Sequence, residues 1–168
     1  MKRTAQTAIV AMLAVIWAFG TSPAAALTEQ VCFGRPATIV GTDGNDFLEG
    51  TAGNDVIVTL EESDTVHGYG GNDRICGNGA GSKSLFGDAP TPGSQGRDWS
   101  DLIAGGPDHD ELHGGRDDDR IRGFGDNDVI GGDGGDDYLD AGPGADSIDG
   151  GPGTDTCLNG ESNVRCET

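Results

Sequence analysis

Aspartate recurs in this chain at a fixed interval. Asp46, Asp55, Asp64 and Asp73 stand nine residues apart, and the lattice resumes at Asp101, Asp110, Asp119, Asp128, Asp137, Asp146 and Asp155. With aspartate counted as the sixth position of a nine-residue unit, the eighth position is aliphatic. It holds Leu48, Ile57, Val66 and Ile75, then Ile103, Leu112, Ile121, Ile130, Leu139 and Ile148, and ends at Cys157. Carboxylates stacked at such an interval repel one another unless a cation lies between them. Calcium suits the residue types best, because it takes about 6–8 oxygens from carboxylates and carbonyls in flexible geometry, whereas magnesium is smaller and dehydrates reluctantly. Glycine-rich turns expose carbonyls and the aspartates supply the charge. The expected ligand set is therefore Asp46, Asp55, Asp73, Asp101, Asp110, Asp119, Asp128, Asp137, Asp146 and Asp155, holding several calcium ions.

The elements that must position these groups follow from the same period. Positions seven to nine are too short for a helix and suit a short strand with only position eight turned inward. Positions one to six, rich in Gly, Asn and Asp, supply tight and left-handed turn conformations. Two units make one coil of turn, strand, turn, strand, and coils stack with parallel strands roughly 4.8 Å apart. Same-side turns then recur every second unit, with Asp110, Asp128 and Asp146 on one edge and Asp101, Asp119, Asp137 and Asp155 on the other. One aliphatic per unit contributes ~2–3 kcal/mol, against an ordering cost of ~1.5 kcal/mol per residue, so the core alone does not hold the turns.

The units Gly50-Thr-Ala-Gly-Asn-Asp55-Val-Ile57-Val and Gly150-Gly-Pro-Gly-Thr-Asp155-Thr-Cys157-Leu closely resemble the nonapeptide of hemolysin-type calcium-binding (RTX) repeats. The resemblance covers nearly all of residues 41–158. It implies an all-β fold, a parallel β-roll (a right-handed two-sheet solenoid) with calcium between same-side turns, held by the position-six aspartates and turn carbonyls. The unit Thr59-Leu-Glu-Glu-Ser-Asp64 lacks every turn glycine, so no calcium is expected at Asp64. Asp108, Asp117 and Asp126 replace the fourth-position glycine, where aspartate tolerates left-handed backbone and adds oxygens. Between Asp73 and Asp101 the spacing exceeds three units by one residue. Gly77 to Phe86 reads as a ten-residue segment with Leu85 inward and Ser82 in the aspartate's place, and Gly87 to Gln95 as an excursion from the roll.

The remaining residues define the ends and the compartment. Lys2 and Arg3, an apolar run from Ala8 to Phe19, and Ala24-Ala25-Ala26 read as a secretory signal cleaved after Ala26, too short to span a bilayer. The expected organisation is a signal at 1–26, an N-terminal cap at 27–40, a first repeat block at 41–86, the excursion at 87–95, a second block at 96–158 and a C-terminal cap at 159–168. Four cysteines fit an exported protein. Stacking separates the N-terminal coil from Cys157 by roughly 30 Å, beyond the ~7 Å reach of a bridge. That leaves the pairs Cys32–Cys76 and Cys157–Cys166, with Cys166 read as the next eighth position after Cys157.

Composition excludes several functions. The 168 residues carry 29 acidic against 10 basic side chains, a formal charge of −19, which argues against nucleic acid or an anionic membrane surface as partner. His67, His109 and His113 fall at unit positions that define no zinc face, and the serines sit in no nucleophile motif. No enzyme is expected. The expected function is a secreted calcium-binding structural or interaction protein whose repeats fold and rigidify on binding calcium. The alternative is a calcium-dependent adhesion or matrix protein meeting a cell-envelope or extracellular-matrix partner through the excursion and Trp99. A non-catalytic remnant of a secreted protease or lipase comes third.

Overall fold

The computed structural model describes residues 30–88 and 99–167, and the chain there is all-β. The signal at 1–26 and most of the excursion lie outside the described residues. A short hairpin, β1 (Val31–Cys32) and β2 (Arg35–Pro36), comes first. It is followed by β3 (Ile39–Val40), β4 (Phe47–Glu49), β5 (Val56–Val58), β6 (Asp64–His67), β7 (Arg74–Cys76) and β8 (Lys83–Phe86). Beyond the excursion come β9 (Leu102–Gly106), β10 (Glu111–Arg116), β11 (Arg120–Phe124) and β12 (Val129–Gly134). The last four are β13 (Tyr138–Asp140), β14 (Ser147–Asp149), β15 (Thr156–Leu158) and β16 (Ser162–Val164). From β3 onward, odd-numbered strands form one parallel seven-stranded sheet and even-numbered strands the other, as a two-strand coil requires.

Register follows the eighth position. Ile39, Ile57, Ile75, Ile103, Ile121, Leu139 and Cys157 lie side by side across the odd sheet. Leu48, Val66, Leu85, Leu112, Ile130 and Ile148 do so across the even sheet. These two ladders face each other as a single row of buried apolar side chains. A one-residue slip would turn each strand's aliphatic out to solvent, which is why the register survives the irregular middle.

That middle corrects one expectation. Lys83, not Ser82, stands opposite Asp64 and so takes the sixth position of its unit. The extra residue of the ten-residue segment is absorbed in its turn, where Gly79 and Gly81 adopt positive φ, leaving Leu85 inward. Gly87 and Asp88 still pair, their N–H groups donating to the carbonyls of His113 and Gly114 at 2.9 and 3.0 Å. Trp99 lies against Gly70, where an added Cβ would come within 2.7 Å of the indole ring.

Each end is tied by a disulfide. Cys32 bonds Cys76, with Cα atoms 5.7 Å apart, fixing the hairpin to the outer face of the odd sheet over Val56, Val58 and Ala104. Cys157 bonds Cys166, with Cα atoms 5.8 Å apart. Cys166 is not the next eighth position, however. Asn163 pairs with Ile148 there, and Cys166 follows beyond β16 because the last coil is cut short.

Candidate metal centre

Every repeat turn but the one at Lys83 ends on its aspartate, and from Asp64 onward one carboxylate oxygen of each aspartate accepts an N–H from the preceding same-side turn. On the odd edge the backbone N–H of Asp55 donates to Asp73 Oδ1 at 2.8 Å. The series continues from Asp73 to Asp101, Asp101 to Asp119, Asp119 to Asp137 and Asp137 to Asp155, at 2.7 to 2.9 Å. On the even edge Asp46 donates to Asp64, Lys83 to Asp110, Asp110 to Asp128 and Asp128 to Asp146, at 2.7 to 3.0 Å. The series closes on two glutamates absent from the expected set. Asp146 N–H donates to Glu161 Oε2 at 2.6 Å, and Asp155 N–H to Glu167 Oε2 at 2.8 Å. Both fall off the nine-residue lattice, and a side chain one methylene longer reaches across the shortened final coil. Their signal in the sequence is only that they are the acids left after the last repeat.

The second carboxylate oxygen divides the aspartates into two kinds. At Asp73, Asp101, Asp110, Asp119, Asp128, Asp137, Asp146 and Asp155 it is buried with neither a hydrogen-bond partner nor an ion pair, whereas at Asp64 it lacks a hydrogen bond but has an ion pair. Each such oxygen costs about 1–3 kcal/mol, and more when charged, unless a cation or proton meets it. Burial accordingly drives Asp73 up to about 7, Asp101 to about 8 and Asp119 to about 9. Asp128 reaches about 7, and Asp110 and Asp137 about 6. The N–H bonds to Oδ1 act against this rise, and neighbouring carboxylates add to it.

The unpartnered oxygens face space that glycine keeps open. A Cβ on Gly68, at the first position of its unit, would lie 2.5 Å from Asp73 Oδ2 and 2.6 Å from the Gly87 carbonyl oxygen. Carboxylate and same-side carbonyl therefore line one small cradle that any larger residue would fill. Gly87, directly after β8, and the first-position glycines Gly105, Gly123 and Gly132 repeat the arrangement beside Asp101, Asp110, Asp128 and Asp137. Among the described residues no three His, Cys, Asp or Glu side chains converge. A cation held here takes its remaining oxygens from the backbone, which is calcium's chemistry.

Asp46, Asp55 and Asp64 are of the other kind. Thr42 donates its N–H and hydroxyl to Asp46 Oδ2, the hydroxyl at 3.0 Å. Thr51 does the same for Asp55, at 2.7 and 2.9 Å. Asp64 Oδ2 lies 3.3 Å from Lys83 Nζ, with both side chains fully buried. The same ammonium donates to the carbonyls of Glu62 and, at 3.0 Å, Ala80. Lys83 thus brings a cation of its own to one carboxylate and two turn carbonyls.

Comparison with known families returns the RTX calcium-binding nonapeptide repeat, matched in four copies over residues 38–61, 49–80, 104–139 and 131–163, more than half of the chain. No curated protein and no solved structure matches.

Proposed function

The chain belongs to the RTX calcium-binding nonapeptide repeat family, and from that premise we propose that it is an exported structural or interaction module whose roll folds and stiffens when calcium enters its turns. Eight buried sixth-position aspartate oxygens with neither a hydrogen bond nor an ion pair carry this reading. Calcium meeting Oδ2 of Asp73, Asp101, Asp110, Asp119, Asp128, Asp137, Asp146 and Asp155, with carbonyls of the same-side turn, removes both the desolvation cost and the repulsion along each edge. Asp46 and Asp55 join the ligand set only by giving up their threonine donors. The turn pair of Asp64 and Lys83 takes no calcium, since the ammonium already supplies the charge.

Export is supported by the leader-like residues 1–26, with cleavage after Ala26, and by two disulfides of the kind that persist in oxidising compartments. No described helix is long and apolar enough to cross a membrane. The role is non-catalytic: apart from Asp88 at the start of the excursion, the carboxylates of raised pKa are the sixth-position acids of the repeats, where they serve as ligands. A second reading, adhesion to an envelope or matrix partner, is favoured by Phe33, Phe124 and the arginines exposed on the odd sheet.

The test is a calcium titration of chelator-dialysed mature protein, followed by circular dichroism and equilibrium dialysis. Strand signal should rise at the ~10⁻⁴–10⁻³ M calcium of extracellular modules. Full cooperative β structure in chelator, unchanged by calcium, would reject the reading.

A further inference from the structure

The carboxylates of this acidic chain crowd the turn edges and leave one broad face nearly free of them. At the outward strand positions of the odd sheet stand three arginines, Arg74, Arg120 and Arg122, against a single carboxylate, Asp140. The outward face of the even sheet carries Glu49, Glu111, Asp133 and Asp149 instead. The hairpin covers the odd face only over β5, β7 and the start of β9. Its tip, Phe33, holds φ at 47° and is 46% exposed. Beyond the tip is a hollow of about 460 Å³ lined by Phe33, Leu102, Arg120, Arg122 and Tyr138.

The chemistry of that hollow is specific. Arg120 sits over the Tyr138 ring, its guanidinium carbon 5.0 Å from the ring centroid, and has no carboxylate partner among the described residues. Arg122 stacks on Phe124 at 5.4 Å and forms an ion pair with Asp140 at 3.7 Å, so Arg120 is the guanidinium that lines this hollow without a carboxylate. Stacking fixes a planar fork whose geometry matches a carboxylate, and the order it imposes need not be supplied by a ligand. Interior strands of the odd sheet are hydrogen-bonded on both sides, so an extended peptide finds no strand edge here. A sugar ring needs no such edge: its C–H face lies on aromatic side chains while its carboxylate meets the guanidinium.

We propose that this hollow binds the carboxylate-bearing sugar of an acidic polysaccharide, with Arg120 holding the carboxylate and Tyr138 and Phe33 flanking the ring. The proposal rests on the calcium reading in one respect: calcium on the turn edges neutralises charge that otherwise repels an anionic chain from the whole molecule.

The test uses the mature chain in saturating calcium, with folding followed by circular dichroism in every sample. The probe is a hyaluronan octasaccharide, titrated calorimetrically, with a neutral maltooligosaccharide and an oligoglutamate peptide as comparisons. The uronate glycan should bind, more weakly as salt rises, and the neutral glycan should not. Arg120→Ala should weaken binding tenfold or more with the calcium-induced spectrum unchanged, and Arg120→Lys should recover little because the fork is lost. If Arg120→Ala fails to fold, Phe33→Ser at the exposed hairpin tip is read in its place, with the same tenfold expectation. Folded, calcium-loaded protein that ignores the glycan, binds oligoglutamate equally well, or is insensitive to both substitutions overturns the proposal. Failure to fold with calcium at all overturns the calcium reading instead.

Discussion

The first repeats and the last repeats share one lattice and answer the same electrostatic problem differently. In the C-terminal block, Asp101 through Asp155 each leave a buried oxygen without a partner, stacked along two edges. In the N-terminal block the corresponding oxygens are met from within: Thr42 at Asp46, Thr51 at Asp55 and Lys83 at Asp64. Only Asp73, whose oxygen is unpartnered, resembles the later repeats there. The N-terminal block also has the Cys32–Cys76 bridge and a second apolar cluster under the hairpin. One nonapeptide pattern thus builds a segment whose carboxylates are met from within and a segment whose buried oxygens are left without a partner. Repeat proteins are stabilised mainly through nearest neighbours, so a change in one segment is expected to reach only the adjacent coils of the other.

Removing calcium gives the largest expected contrast. In chelator, hydrogen exchange should collapse protection in β9 through β15 while β5 through β8 keep a substantial part of theirs. Uniform loss along the chain would break the comparison. Next in size, Asp137→Ala should lose the ions toward Asp119 and Asp155 and raise exchange over a coil or two, whereas Asp55→Ala should leave the bound calcium number unchanged. Equal losses by equilibrium dialysis would show that the threonine donors do not decide occupancy.

Lys83→Met tests the built-in cation. It strands the Asp64 carboxylate, and breaking a buried pair in this way costs about 3–5 kcal/mol. Urea unfolding in saturating calcium should report a loss of that order with no change in calcium bound. Acidity should separate the blocks more gently. The folded pKa values of about 6 to 9 at Asp73, Asp101, Asp110, Asp119, Asp128 and Asp137 exceed the unfolded value of about 3.9. The metal-free fold therefore holds protons that the unfolded chain releases. That stability is fully present below about pH 4 and is lost as pH rises through 6 to 9. Chelated protein should show more strand signal at pH 5 than at pH 8, with the gain mapping by exchange mainly to β9 through β15. The opposite trend would mean the buried oxygens are not protonated in the metal-free roll. The smallest effect is expected from Thr51→Val, about 1 kcal/mol for one hydroxyl hydrogen bond, read as a shift in the urea midpoint.

Much of this was legible in residue order, and the exceptions share a cause. Spacing alone placed the strands, the inward row from Leu48 to Cys157 and the two aspartate edges, because a period of nine with one aliphatic and one acid admits few backbones. It also marked the unit at Asp64 as lacking turn glycines. Counting two back from the inward Leu85 gives Lys83, not Ser82, at the sixth position, but the spacing does not show that Lys83 pairs with the Asp64 carboxylate of the neighbouring coil. Nor did it find Glu161 and Glu167, which reach the edge from off the lattice, or the reassignment of Cys166 by a shortened coil.

Periodicity is a local property, written once per turn and repeated, so the sequence by itself determined the coil, its register and the residue types at its edges. Which oxygen of each aspartate is already bonded depends on what the next coil and the second-position side chain bring within reach. That is a contact between residues a full coil apart or across an irregular turn, and only the tertiary structure decided it. The same holds for the arginine-bearing face of the odd sheet. Arg74, Arg120, Arg122 and Phe33 are scattered along the chain and become one surface only when parallel stacking brings every second strand to the same side.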